Sequence, residues 1–204
     1  MTLEITHPEK PTEQDKIDDE DYMLPHHIDG VLPQSNMDIS GIEKLELIEH
    51  KTPSAQSSVT FENLNGDTDE KYLLILDLGF DTASNVLTLK PNNIATDQKT
   101  SLIRVYYSSS SRTNASDIRI GTSDSNKANR CRSKTLILAK TGNYRRFETN
   151  INIYGVGNTT PINMWGWCQW SDTTTNITSL VVDVDVGTFT GDIYLYRVKT
   201  VCPI

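Results

Sequence analysis

From residue 45 onward, apolar side chains recur at every second position, and period two is the signature of a strand with one buried face. Tyr72, Leu74, Leu76, Leu78 and Phe80 fall on one face of a long strand, whose first half is apolar on both faces because Leu73 and Ile75 lie between them. Phe147, Thr149, Ile151 and Ile153 alternate with Glu148, Asn150 and Asn152; Val182, Val184 and Val186 alternate with Asp183 and Asp185. Ile193 and Leu195 alternate with Tyr194, Tyr196 and Val198. Shorter strands are expected at Val59–Phe61, Val86–Leu89, Ile103–Tyr107, Ile118–Ile120, Leu136–Ala139 and Ile162–Gln169, separated by turn clusters such as Asn65-Gly66-Asp67 and Pro91-Asn92-Asn93. No segment after residue 51 sustains a helical repeat. Roughly ten short strands in one chain predict an all-β fold, an antiparallel β-sandwich and most simply a jelly roll.

The first fifty residues are of another kind. They carry 13 acidic and 3 basic side chains, net −10, in a chain whose net charge is −8. Pro8, Pro11, Pro25 and Pro33 interrupt them, and Asp18-Asp19-Glu20-Asp21 repel one another. So little apolar surface cannot offset the entropy of ordering, so residues 1–40 read as an extended acidic arm, ordered only where it meets a partner. Its few apolar residues, Tyr22, Met23, Leu24, Ile28, Val31 and Leu32, flank two prolines and are expected to act as anchors for a groove on that partner. Residues 41–204 then form the sandwich domain. Around the junction, Ser40-Gly41-Ile42-Glu43 has the form of a helix capping box, while Lys44-Leu45-Glu46-Leu47 alternates as a strand does. A first strand over about residues 44–51 is expected. No transmembrane span and no signal peptide are read from the sequence, and Cys131, Cys168 and Cys202 fit neither a disulfide framework nor a zinc pattern. All three are expected to be reduced.

Gly41–His50, Ser58–Leu74 and the ending Gly187–Val198 together resemble a loose group of tailed-bacteriophage virion structural proteins. These place a β-sandwich, jelly-roll-like domain behind an N-terminal attachment region. The likeness covers the two ends of the globule and not the acidic arm. It implies a virion context, and it brings no catalytic residues with it.

Enzymatic chemistry finds little support in the residues. His7, His26 and His27 lie in the arm and His50 in the first strand, so a histidine base for Cys168 or a serine has no place in the body of the sandwich. Asp183 and Asp185 are about 7 Å apart by the strand rise, a spacing open to glycoside hydrolysis but also that of any solvated strand face. Asn65, Asp67 and Asp69 match the first three ligands of a calcium loop, yet Glu70 and Leu76 stand where Gly and Glu belong, and an Asx-rich turn is expected. No catalytic residue, metal or cofactor is therefore expected.

Two constellations remain. Trp165, Trp167 and Trp170 are all the tryptophans of the chain, and on a strand the first two share a face while the third points away. Trp165 and Trp167, with Gln169, either stack on carbohydrate or fill the core. Arg130, Arg132 and Lys134 alternate along a strand face and Arg145-Arg146 follow. They form a candidate basic docking surface, within a stretch 112–146 of net charge +7 that is suited to the acidic arm of a neighbouring subunit.

The expected function is a non-enzymatic virion structural protein of a phage-like particle, of capsid-decoration or head-fibre type rather than tail, attached by its arm. The alternative is a host-recognition module that binds surface carbohydrate. Its expected place is the virion, assembled in the host cytoplasm. The partners expected are other virion proteins of capsid or tail, further copies of the same chain, and in the alternative a host-surface glycan. Membrane and nucleic acid are not expected partners.

Overall fold

The computed structural model describes residues 43–105, 110–123, 130–154 and 162–200. The arm residues Tyr22, Met23, Leu24, Ile28, Val31 and Leu32, and Cys202, lie outside the described residues. Among the described residues, the alternation read above becomes twelve strands and one helical turn. They run in the order β1 (Glu43–Lys51), β2 (Ser58–Phe61), α1 (Gly66–Asp69), β3 (Lys71–Phe80), β4 (Val86–Pro91), β5 (Gln98–Val105) and β6 (Ser110–Ala115). The chain continues through β7 (Arg119–Thr122), β8 (Arg130–Leu138), β9 (Arg145–Tyr154), β10 (Ile162–Trp170), β11 (Leu180–Val184) and β12 (Phe189–Thr200).

The fold is an all-β sandwich. Eight strands form one antiparallel sheet in the order β1-β12-β3-β8-β9-β10-β5-β6, and four form the other, β2-β11-β4-β7. The two sheets share one core, to which the large sheet gives Tyr72, Leu74, Leu76, Leu78, Phe147, Ile151, Ile193 and Leu195, and the small one Phe61, Leu87, Leu89, Ile120, Leu180 and Val182. Side chains alternate across a strand, so each core residue of the large sheet implies a neighbour on its opposite face. Four strands cover one face of the eight. Among the described residues, nothing covers the other.

Several strands depart from expectation. β5 begins at Gln98 and β8 at Arg130, both earlier than the apolar alternation indicates, because their first residues alternate polar with polar. β6 carries Ser-Ser-Arg-Thr-Asn-Ala, an edge strand with no hydrophobic pattern to announce it. β11 ends at Val184, and Val186 is exposed beyond it instead of continuing the buried row. The Asn65 turn closes as the cap of α1, its side-chain oxygen accepting from the Thr68 amide.

Cys131 and Cys168 are buried free thiols, pushed up by burial to about 12 and about 11 respectively. Thiolate is the reactive form. Both are expected to resist iodoacetamide in the native protein and to alkylate fully in denaturant; peptide mass mapping checks this.

Candidate functional site: the open face of the eight-stranded sheet

The pairing registers place the outward side chains in rows across the large sheet. One row reads Leu47, Tyr196, Leu73, Leu136, Glu148 and Trp167, from β1 to β10. The next reads His50, Tyr194, Ile75, Lys134, Asn150 and Trp165, and Ile103 of β5 continues it. Nine of these thirteen side chains are aliphatic, Tyr or Trp. Leu45 is 48 %, Leu47 52 %, Trp165 50 % and Trp167 41 % exposed, so the open face presents apolar surface to solvent. A shallow groove of about 360 Å³ runs over this face from Leu45 to Trp165, with Leu73, Leu136 and Val198 among its lining and Lys134, Glu148 and Asn150 towards the tryptophan end. Contiguous apolar patches of this kind, rimmed by polar groups, mark binding surfaces.

The face is also positive. By strand parity it carries the cations Lys71, Lys99, Arg112, Arg130, Arg132, Lys134 and Arg146 against the anions Glu43, Asp77, Glu148 and Asp192, net +3. Residues 43–204 as a whole hold 17 acidic and 17 basic side chains, so this excess is a property of one face and not of the globule. Arg130 Nε donates to Asp77 Oδ1 at 2.8 Å, an Arg132 terminal nitrogen to Oδ2 at 2.7 Å, and Tyr154 Oη to Oδ1 at 3.0 Å. Arg146 pairs with Glu148 at 3.1 Å. Lys99 and Lys134 are exposed and make no ion pair with another described residue.

Burial pushes the Asp77 carboxyl up, but the hydrogen bonds from Arg132, Arg130 and Tyr154 outweigh it and hold the group below the usual carboxylate range. A depressed folded-state value stabilises the fold above the ordinary Asp range, near pH 4, and that contribution is lost as pH falls through the folded value. Stability is therefore expected to be flat above about pH 5 and to fall in more acidic buffer. Asp77→Asn should remove about 1–2 kcal/mol at neutral pH and flatten that acid limb, as urea melts across pH will show.

The residues singled out from sequence separate cleanly in space. Trp165 and Trp167 stand on the open face, while Trp170 is fully buried in the core, so only one of the three fills the interior. Gln169 shares the outer face, and with Tyr144, Arg146 and Trp167 lines a small depression beside the main groove. Arg130, Arg132, Lys134 and Arg146 share that face as well. Arg145 does not, which corrects the expected docking set. It is fully buried, with its guanidinium 5.2 Å from the centroid of the Trp170 ring, and it donates to the Thr175 carbonyl. Its position is the core parity of β9, opposite that of Arg146, and its role is to hold the 171–177 loop.

Other polar candidates are occupied by the fold. Asp67 accepts from the Thr141 amide at 2.8 Å; Asp69 accepts from Tyr72 Oη at 2.7 Å and pairs with Arg197 at 2.6 Å. Asp183 pairs with Lys90 at 2.5 Å, whereas Asp185 lies past the end of β11 and accepts from the Val86 amide. The two carboxylates are thus held by separate structural partners and do not face a common cleft as an acid–base pair. His50 bonds to Asp192 at 2.9 Å and stacks on Tyr194, ring centroids 4.1 Å apart. Among the described residues no group of three or more His, Cys, Asp or Glu is placed to hold a metal ion, and no helix is long and apolar enough to cross a membrane.

Comparison of the chain with family models, with curated proteins and with solved structures found no match. The groove residues Leu45, Leu136 and Val198 were not legible as a site, because each looks like an ordinary strand residue. The signal that marks them is the double-sided start of β3: Leu73 and Ile75 are apolar on the face that a one-sided strand leaves polar.

Proposed function

We propose that the chain is a non-enzymatic structural protein of a phage-like particle, an adhesive β-sandwich attached by its N-terminal arm. The observation that carries this is the open face of the eight-stranded sheet: a broad, apolar and positive surface with no covering layer among the described residues. Six strands about 4.8 Å apart and two rows about 6.6 Å apart give a patch of several hundred Å², about half of one side of a standard protein interface of roughly 800 Å². Assembly surfaces are built this way, with aliphatic and aromatic side chains in the centre and charges at the rim. The resemblance of Gly41–His50, Ser58–Leu74 and Gly187–Val198 to tailed-phage virion proteins supports the same reading, with a capsid-decoration or head-fibre place preferred to a tail place. Partners are then other virion proteins and further copies of the chain. Co-sedimentation with purified particles tests it: the full chain is expected to bind, and no binding by the full chain would overturn the reading.

One observation favours a second reading, a host-recognition module for surface carbohydrate. Trp167 lies exposed beside Tyr144, Arg146 and Gln169, flat rings with polar neighbours of the sort that stack on and hydrogen-bond to a sugar. Glycan-array binding that disappears in Trp167→Ala would favour it.

A further inference from the structure

We infer that the open face of the eight-stranded sheet receives an extended acidic segment of a second copy of this chain, its residues 15–32. This rests on the proposed reading that many copies are assembled side by side, and it names what that face binds. Charge selects the occupant. Residues 15–32 carry six acidic and one basic side chain, net −5, against a face of net +3 in a sandwich whose total charge is zero. A second sheet face laid on the first would instead bring two surfaces of net +3 together, and like charges across an interface suppress that pairing.

Shape and sequence agree with charge. The groove from Leu45 on β1 to Trp165 on β10 crosses six strands, about 24 Å at the usual inter-strand spacing. Tyr22–Leu32 in extended form reaches about 33 Å, enough to cross it. Along that stretch Tyr22, Met23, Leu24 and Ile28 supply apolar side chains for Leu73, Leu136 and Trp165. Asp18-Asp19-Glu20-Asp21 just before them supplies anions for Lys134 and its neighbours. Pro25 lacks a backbone N–H and disfavours helix, a sequence suited to binding in extended form. Lys134 is the central cation, since it lines the groove and has no ion-pair partner among the described residues.

The test is titration of a synthetic peptide of residues 15–34 into the full chain, followed by tryptophan emission and acrylamide quenching. The peptide has no tryptophan, so the signal comes from the protein alone, and two of its three tryptophans stand on the face in question. The expected result is a saturable blue shift, a fall of about two-fold in the quenching constant, and weaker binding at higher salt. A peptide with Leu24→Ser and Ile28→Ser should give no response, nor should wild-type peptide with a folded Lys134→Glu protein. No response to the wild-type peptide at millimolar concentration overturns the inference, as does an equal response to the serine peptide. Neither outcome depends on particle attachment, so the proposed function can stand or fall separately.

Discussion

A chain lacking residues 1–40 is expected to melt cooperatively as a sandwich and to lose attachment to particles. The deleted stretch ends before Glu43, where β1 begins, so every described strand and the whole shared core remain. The loss of attachment follows from the apolar residues that go with it. Burying four of Tyr22, Met23, Leu24, Ile28, Val31 and Leu32 supplies about 6–12 kcal/mol at the usual 1.5–3 for each side chain. Ordering an extended segment takes back about 2–5 kcal/mol. The remainder is several kcal/mol, and its removal should lower occupancy at least about 100-fold. The pair Leu24→Ser and Ile28→Ser, which leaves charge unchanged, should produce a smaller loss of the same kind. Circular dichroism melts and co-sedimentation measure the two halves of the prediction. Full decoration by the truncated protein would show that attachment lies elsewhere.

Gly166→Ala is expected to be among the most damaging single changes in the sandwich. Gly166 sits between the two exposed tryptophans on β10, opposite Leu102 of β5. A Cβ there would lie 2.2 Å from the Ser101 carbonyl oxygen and 2.9 Å from the Leu102 Cα. Both are backbone atoms of a paired strand, so no rotamer change relieves the overlap, and β5 has to move away from β10. Overpacking of this severity should destabilise by about 3 kcal/mol or more. Because β6 hangs on β5 alone in the sheet order, hydrogen exchange should increase across β5 and β6 before it does in β3 or β9. Normal melting and unchanged exchange in this variant would contradict the β5–β10 approach described here.

The sandwich was legible wherever one face of a strand is buried. β3, β9 and β12 each carry an inward row of apolar residues at alternate positions, and Leu74, Ile151 and Leu195 among these make the core. Where burial does not act, the pattern falls silent. β6 is an edge strand of small polar residues, and the first half of β8 alternates Arg130, Arg132 and Lys134 with Cys131, Ser133 and Thr135, an inward row too polar to read as core. Arg145 was misplaced for a related reason. Its charge suggests the surface, yet it occupies the inward parity next to Phe147, and the Trp170 ring together with the Thr175 carbonyl makes that burial tolerable. The candidate site was half legible. The shared face of Trp165 and Trp167 follows from strand period, but whether that face looks inward or outward depends on which side the four-stranded sheet covers, and only tertiary structure decides that.

In a cryo-electron microscopy map of particles carrying this protein, the open face, with Leu45, Leu73, Leu136, Trp165 and Trp167, is expected to be covered by protein density. A map in which that face looks into solvent, with the sandwich held through the β2-β11-β4-β7 sheet instead, would contradict it.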